Sequence, residues 1–190
     1  MAALRFIDFL SALTDLSEDL LTALNDSLKP ELFHHHQVFH VGGQVENRIW
    51  YLEEGLVRAY YYDQKGKEHT VQFFSAGEVI FSWQGLYKEP NDCYLEALEL
   101  SKLSSLHYER FHYLREHFSE MKTIALVIAR RRHHLDLFYR RLMVLSAEER
   151  YRLFRHLHPD IFRKVSIRLI ATQLNMTREN LSKLITGDRR

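Results

Sequence analysis

The chain has 190 residues, 46% of them hydrophobic and 27% charged, which is typical of a globular protein with a proper core. No apolar run approaches the roughly 20 residues that a membrane-spanning helix needs. Asp8 interrupts the apolar N-terminal segment, so we expect no secretory signal. Cys93 is the single cysteine, which excludes an intrachain disulfide and a cysteine-based zinc or iron–sulfur site. These features favour a cytoplasmic protein without a cofactor.

The net charge of +1 hides an uneven distribution along the chain. Residues 1–128 contain 11 Lys and Arg against 19 Asp and Glu, whereas residues 129–190 contain 15 against 6. A basic C-terminal third on an acidic body indicates that one end of the protein contacts a polyanion. A solvated helical surface would give the same balance, so charge alone does not decide between the two.

The first part of the chain changes from a helical to a strand-like pattern. Leucines at helical spacing occur between residues 4 and 28, where Asp15 or Ser17 can start a short helix. From Glu31 to about Leu106, short runs rich in Val, Ile, Tyr and Phe alternate with turn residues, which predicts an antiparallel sandwich or barrel. Residues 60–74, with Asp63-Gln-Lys-Gly66 at the turn, predict a hairpin.

A long helix is predicted after the strands. Residues spaced alternately by four and three form a heptad stripe that is apolar except at Arg132: Met121, Ala125, Ile128, Arg132, Leu135, Tyr139 and Leu142. A helix packed on its own sheet would also have such a stripe. However, Val127, Leu137, Phe138 and Met143 lie off the stripe and can pack on the sheet. We therefore expect the six apolar stripe residues to form a parallel two-helix dimer interface.

The C-terminal segment has the spacing of a helix-turn-helix. Before it, Ser146-Ala-Glu-Glu149 is a capping box for a helix that stops before Pro159. Ser166 can cap the first helix of the motif, and Thr177 can cap the second. Asn175 tolerates the left-handed backbone that the turn between them needs. The inward positions of the two helices are apolar: Ile167, Ile170, Ala171, Leu174, Leu181, Leu184 and Ile185.

The outward residues of the second helix suit a DNA major groove. Arg178 can donate two hydrogen bonds to guanine, Glu179 can accept from cytosine, and Lys183 can reach guanine or a phosphate. The hydroxyls of Ser166 and Thr177, with their helix N-termini, can hold phosphates. The alternative is a helical hairpin with a solvated charged face. The candidate DNA-binding residues are Ser166, Thr177, Arg178, Glu179, Asn180, Ser182 and Lys183.

The order of these parts resembles the cyclic-AMP receptor protein (Crp/Fnr) family of bacterial transcription regulators. The resemblance covers nearly the whole chain and is strongest at residues 51–61, 66–78 and 177–183, the last reading Thr-Arg-Glu-Asn-Leu-Ser-Lys. It implies an α+β protein in three parts. These are an antiparallel, jelly-roll, cyclic nucleotide-binding-like β-roll sensor (1–118), a long dimerisation helix (119–145) and an all-α helix-turn-helix domain (146–190).

The resemblance also implies a function. The protein would be a homodimeric, sequence-specific DNA-binding regulator rather than an enzyme, and it would not bind a membrane. Arg178, Glu179 and Lys183 would read the bases of a double-stranded, pseudo-palindromic operator, with half-sites about 34 Å apart because the dimer is two-fold symmetric. An unidentified small-molecule effector would change the spacing of the recognition helices. RNA polymerase is a further candidate partner.

The sequence departs from the cyclic-nucleotide binders of this family. They carry a Phe-Gly-Glu step, whose Glu holds the ribose, and a Pro-Arg-Ser-Ala step, whose Arg pairs with the phosphate. This chain has Ile80-Phe81-Ser82 and Pro90-Asn91-Asp92-Cys93 instead, and Glu78 lies four residues too early. A phosphate that faces Asp92 without an arginine would be held poorly, so we do not expect cyclic AMP to be the effector.

The run Arg130-Arg131-Arg132-His133-His134 on the long helix has two interpretations. It is either a solvated face, or Arg131 or Arg132 points toward the β-roll cavity and meets an anionic effector. Aromatic residues, including Trp83, can line that cavity, although each also suits a core. The candidate effector residues are Phe73, Phe81, Ser82, Asn91, Asp92 and Arg132.

A second departure concerns the C-terminus. Family members usually continue beyond the recognition helix into a β-hairpin wing, whereas this sequence stops four residues after Thr186. We therefore expect DNA affinity to depend on phosphate contacts from the basic helices and from Arg189-Arg190.

Two other functions remain open at this point. One is a β-roll interaction module whose basic helices bind a protein or RNA. The other is a cupin-like metal enzyme, because strand alternation would place His34 and His36 on one face, with His40 nearby. The carboxylate that usually completes such a site has no evident position, so we expect no metal. The face formed by Arg178, Glu179 and Lys183 favours DNA binding, since neither alternative requires these residue types there.

Overall fold

The computed structural model describes residues 2–188, with side chains from Arg5 onward. The helices of this part of the chain are α1 Ala2–Ser11, α2 Glu18–Ser27, α3 Trp83–Leu86, α4 Tyr108–His117, α5 Ser119–Val144, α6 Ala147–Leu157, α7 Pro159–Lys164, α8 Ile167–Gln173 and α9 Arg178–Gly187. Its strands are β1 Lys29–Phe33, β2 Val38–His40, β3 Gln44–Val45, β4 Arg48–Glu54, β5 Leu56–Tyr62, β6 Glu68–Ser75, β7 Val79–Ile80, β8 Pro90–Asn91, β9 Tyr94–Ala97 and β10 Ser101–His107.

The strands form a β-roll, as predicted from their turn spacing. One four-stranded sheet has the order β1-β10-β4-β7, the other has the order β2-β9-β5-β6, and β3 pairs with β8. In the first sheet Leu103 lies opposite Leu52, and neither side chain is exposed. The hairpin between β5 and β6 is also confirmed. The Asp63 carboxylate accepts the backbone N–H groups of Lys65 and Lys67, and Gly66 supplies the positive φ that the turn requires.

By its contacts the chain divides into two compact units. The first comprises residues up to 58 together with 74–132. The second comprises residues 59–73, which include the turn of the hairpin, together with the residues from 133 onward. The expected boundaries at residues 118 and 145 separate a sensor, a dimerisation helix and a DNA-binding domain by function. They stay a prediction.

In the core of the first unit, helices pack against one face of the sheet that contains β4 and β10. Leucines of α1 and α2, Ile49 and Leu106 of the sheet, and apolar residues of α4 and α5 form one buried cluster. The ring of Phe6 stacks on that of Tyr51 at 4.9 Å between centroids. Ser17 caps α2 through its side chain, which decides between the two start sites that the sequence allowed.

The core of the second unit is made by the C-terminal helices. The side chains of Phe154, Ile170, Leu174 and Leu181 are fully buried. Ser146 and Glu149 form the predicted capping box at the start of α6. Helix α6 ends at Leu157, before Pro159 as predicted, and Pro159 occupies the first turn of α7, where its missing N–H costs no hydrogen bond. No helix of the described part of the chain is both long enough and apolar enough to cross a membrane.

Candidate nucleic-acid interface and sensor cleft

The helix-turn-helix spacing predicted from the sequence is present in the second unit. Helix α8 is followed by a turn in which Asn175 has φ +49°, the left-handed conformation that the sequence argument required. The hydroxyl of Thr177 accepts the N–H of Asn180 at 3.1 Å and so caps α9. Leu181 is fully buried, and Leu184 and Ile185 are half-buried, so α9 is held by its apolar face.

The opposite face of α9 is exposed. It carries the candidate base-reading residues Arg178, Glu179, Asn180, Ser182 and Lys183. Within the described residues, Arg178 and Lys183 form no ion pair and no hydrogen bond with another side chain. Hydrogen-bond donors (Arg178 and Lys183) and an acceptor (Glu179) therefore project from one short, capped helix. Major-groove readout requires this arrangement.

The first helix of the motif differs from the prediction in two details. Ser166 occupies the N-cap position of α8 and is exposed, but its side chain makes no capping hydrogen bond. Ile167, predicted to face inward, is 36% exposed, and Leu169 is buried in its place. Helix α8 begins at Ile167. The apolar residues that it buries are Leu169, Ile170 and Ala171. The predicted Arg189-Arg190 contact lies outside the described residues.

Arg150 connects the end of α5 to the turn of the motif. Its guanidinium donates to the carbonyl oxygen of Leu145 at 2.7 Å and to that of Asn175 at 3.5 Å. At the other end of the unit, Tyr151 and Arg155 of α6 hold Asp188, the residue that caps the C-terminus of α9. Helix α9 is therefore fixed to α6, and the turn before it is fixed to the α5–α6 junction.

The hairpin β5–β6 also contacts the motif within this unit. The N–H of Thr70, a buried residue, lies 3.3 Å from the hydroxyl of Thr172 on α8, and the two hydroxyls lie 2.9 Å apart. Arg168 of α8 pairs with Glu68 of β6 at 3.4 Å. No sequence pattern predicted this contact, because it joins residues about one hundred positions apart.

The heptad stripe of α5 is buried within the chain itself at both ends of the helix. Met121 and Leu142 are each 1% exposed, and Ala125 and Ile128 pack against the core of the first unit. Leu135 and Tyr139 are half-buried. The expectation that off-stripe residues alone would pack on the sheet is thus wrong for the first half of the helix. Leu126 and Val144 are the most exposed apolar residues of α5, at 70% and 84%.

The predicted effector residues are divided between the two units of the chain. Phe73 is buried and belongs to the second unit, whereas the other five belong to the first. There, Ser82 caps α3 by accepting the N–H of Gly85, and it accepts a further hydrogen bond at 3.2 Å from the Asn91 amide. The hydrogen-bonding groups of this pair thus serve the local fold, and Asp92 is exposed.

Arg132 lies close to two ionisable groups of the β-roll. Burial raises the pKa of the Glu78 carboxyl and that of the Cys93 thiol, and the positive charge of Arg132 opposes both shifts. Glu78 accepts the N–H of Ser75 at 2.6 Å and so closes the turn before β7. Glu78 is therefore a turn residue, as the sequence match placed it. Arg131 lies instead over the ring of Phe9, at 5.3 Å.

The histidine-rich segment is a turn and not a strand, which corrects the alternation that we inferred. Residues 34–37 connect β1 to β2, and His36 has φ +62°. Its Nδ1 lies 2.8 Å from Glu96, which also pairs with Arg58 at 2.6 Å. Within the described residues, no three His, Cys, Asp or Glu side chains are grouped so that they can hold a metal ion.

A second buried pair was missed by the sequence analysis. His40 and Glu46 are 6% and 3% exposed, with Nδ1 and Oε2 3.4 Å apart. Burial raises the pKa of Glu46 to about 8 and lowers that of His40. The two residues lie six positions apart in a loop-rich segment, where no periodic pattern marks a residue as buried.

Comparison with known proteins relates part of the chain to a known family. Residues 31–118 match the model of the cyclic nucleotide-binding domain. Over these residues the chain is similar to the cyclic nucleotide-binding domain family. The match covers β1 to α4 and therefore includes the turn of Glu78 and the segment of Ser82 and Asn91. A search of curated protein sequences found no match.

Solved structures share the fold of nearly the whole chain. FixK2 from Bradyrhizobium japonicum is similar with a TM-score of 0.68 at 18% identity, over 84% of this chain and 83% of that one. A CooA mutant from Carboxydothermus hydrogenoformans gives 0.68 at 16% identity, over 95% and 84%. The catabolite activator protein of Thermus thermophilus gives 0.56 at 19% identity, over 94% and 85%. The predicted fold is thus confirmed: the family model covers the β-roll, and the solved structures share the fold of nearly the whole chain.

Proposed function

We propose that this protein is a homodimeric, sequence-specific DNA-binding transcription regulator of the Crp/Fnr type. The observation that carries the proposal is the capped helix α9, which buries Leu181 and exposes Arg178, Glu179 and Lys183. The basic C-terminal third supports it, because phosphate neutralisation supplies much of the affinity of such proteins for DNA. The solved structures that share the fold are regulators and not enzymes, which favours the same class. A cytoplasmic location belongs to this proposal.

Dimerisation through α5 is part of the proposal. Leu135 and Tyr139 of the predicted stripe are half-buried in the single chain, and a second copy would cover them. RNA polymerase remains a candidate partner of the bound dimer.

Cyclic AMP is not the effector in this proposal. The positions that hold ribose and phosphate in cyclic-nucleotide binders are occupied by Ser82 and by Asn91 with Asp92, and Ser82 and Asn91 bond to each other. Arg132 is the nearby cation, but it already faces Glu78 and Cys93. Calorimetric titration of the protein with cyclic AMP should show no binding at micromolar concentration; a saturable heat there would contradict this part.

The DNA-binding proposal is tested by selecting fragments from a genomic or random-sequence library with the purified protein at near-physiological salt. We expect enrichment of an inverted repeat whose half-sites are about one helical turn apart. Arg178→Ala should lose the enrichment. Arg163→Ala is the matched control, because Arg163 is also an exposed arginine of the second unit but lies on α7. Equal enrichment by both variants, or none by the wild type, would count against α9 as the reading element.

A further inference from the structure

We propose that a cleft between α3, α4 and α5 binds a small amphipathic monocarboxylate, with an apolar chain of about eight carbons and one anionic end. The cleft has a volume of about 310 Å³ and lies wholly within the first unit. Phe81 of the predicted effector residues lines it, but Ser82, Asn91, Asp92 and Arg132 do not, so the cleft does not include the positions that hold ribose and phosphate in cyclic-nucleotide binders. Its ability to bind does not depend on the proposed function; only a role as effector site rests on that.

The walls of the cleft are apolar. Ile49 of the sheet, Phe111 of α4 and Ile128 of α5 contribute side chains. Tyr108 contributes only its ring, because its hydroxyl donates to the Ser82 carbonyl at 2.9 Å and accepts the Ser82 N–H at 2.8 Å. A largely apolar concavity of this size, with a few polar groups, is the usual form of a small-molecule site.

Large apolar side chains surround the opening of the cleft. Trp83 is 41% exposed, and Tyr87 and Leu126 are each 70% exposed. Exposed apolar groups gathered at one place are removed from water when a ligand covers them. The apolar part of the ligand therefore gains contact both with the walls and with this rim.

The charge of the cleft specifies an anion. Arg115 and Lys122 line it, and the lining contains no acidic residue. Arg115 is oriented by His112, since its guanidinium lies 3.5 Å from His112 Nδ1 and the Nε2–H of His112 donates to the Leu86 carbonyl at 3.2 Å. Two cations beside an apolar cavity complement one carboxylate attached to an apolar chain.

The volume limits the length of the chain. A cavity of 310 Å³ is about ten times the volume that one water molecule occupies in the liquid. This corresponds to about ten non-hydrogen atoms, the size of octanoate. Because α5 continues without interruption to Val144, a ligand that orders its first half acts on the helix that leads to the second unit.

The test is a calorimetric titration of the full-length protein, without DNA, with hexanoate, octanoate, decanoate and 1-octanol. Affinity should rise about fourfold per methylene up to octanoate and should not rise further for decanoate. Octanol should bind about tenfold more weakly than octanoate, because it lacks the charge. Trp83 should report the same binding by a change in fluorescence emission, since it lines the cleft.

Variants separate charge from shape. Arg115→Gln and Lys122→Gln should each weaken octanoate by up to about tenfold and leave octanol unchanged. Lys65→Gln, an exposed lysine in the hairpin turn, is the control and should bind like the wild type. Ala129→Leu narrows the cleft and should weaken octanoate and octanol alike.

The absence of a saturable signal with octanoate would overturn the proposal, as would unchanged octanoate affinity in Arg115→Gln and Lys122→Gln. If Leu126→Glu dissociates the protein while octanoate does not bind, the cleft is an interface for a second copy and the proposal is wrong. Since no DNA is present, these outcomes leave the DNA-binding proposal untouched, and failure of the fragment selection leaves the ligand proposal untouched.

Discussion

The two units differ in whether they bury ionisable side chains. Among the described residues, every Asp, Glu, Lys, Arg or His that is fully buried lies in the first unit: His40, Glu46, Glu53, Arg58 and Glu96. The buried polar residues of the second unit are the neutral Thr70, Gln72 and Gln173, and none of its described cations is fully buried. A buried charge is costly unless it is paired, so the first unit depends on its pairing. Under the proposed function, exposed cations of the second unit would contact the phosphates of DNA.

The largest effect should come from a buried ion pair. Glu96→Gln removes the carboxylate that lies 2.6 Å from the buried Arg58 guanidinium and also contacts His36. The free energy of unfolding should fall by about 3–5 kcal/mol, because a buried charge loses this partner. Denaturant titration measures it.

An exposed pair provides the control for that change. Glu109 pairs with Lys88 at 3.3 Å, and both side chains are largely exposed. Glu109→Gln should cost less than about 1 kcal/mol. Equal costs for the two variants would show that the interior charges of the first unit carry no special energetic weight.

The buried Glu46 should make the first unit sensitive to pH. Its pKa is raised by burial to about 8, so the folded state keeps a proton that the unfolded state has already lost at neutral pH. Stability should therefore fall as the pH rises from 7 through 8 and then level off. Glu46→Gln should lack this fall. His40 does not contribute in this range, because its pKa is lowered below the ordinary value of 6.5 and it is neutral in both states.

Thermal unfolding between pH 7 and 9 measures the difference between wild type and Glu46→Gln. Glu109→Gln, at an exposed site, should follow the wild type. A constant difference between wild type and Glu46→Gln over this range would contradict the assignment of a protonated, buried carboxyl.

In the second unit, the contact between the hairpin and α8 should have a smaller effect. Thr172→Val leaves the buried Thr70 N–H without its acceptor and should lower the free energy of unfolding by about 1–2 kcal/mol. Hydrogen exchange of the Thr70 amide should become faster. Thr186→Val is the control, since that exposed hydroxyl bonds only within α9, to Ser182. Unchanged exchange at Thr70 would mean that the hairpin does not depend on this bond.

The smallest effects should distinguish the helix caps. Ser146 completes a capping box on α6, so Ser146→Ala should cost about 1 kcal/mol. Ser166 occupies the same position on α8 without a capping bond, so Ser166→Ala should change stability little. A similar loss for both would show that Ser166 caps α8 in solution.

Local patterns predicted the parts of the molecule that depend on neighbouring residues. The capping box at Ser146, the hairpin around Gly66 and the left-handed Asn175 each arise within a few positions of the chain. The inward face of α9 at Leu181 follows from helical periodicity for the same reason.

Features that depend on distant residues could not be read in this way. His36 is held in a left-handed turn beside Glu96, sixty positions away, so strand alternation misplaced it. The stripe of α5 showed that one face is apolar, but not that Met121 packs on the chain's own core. The cleft near Arg115 is assembled from three helices and the sheet, and its lining residues share no spacing in the sequence.

The decisive measurement is the affinity of wild type, Arg178→Ala and Arg163→Ala for the selected duplex and for a scrambled duplex of equal length. We predict that Arg178→Ala loses about 1–3 kcal/mol of discrimination between the two duplexes, whereas Arg163→Ala keeps it, because only Arg178 lies on the exposed face of α9. Equal loss in both variants, or equal affinity of the wild type for the two duplexes, would contradict sequence reading by α9.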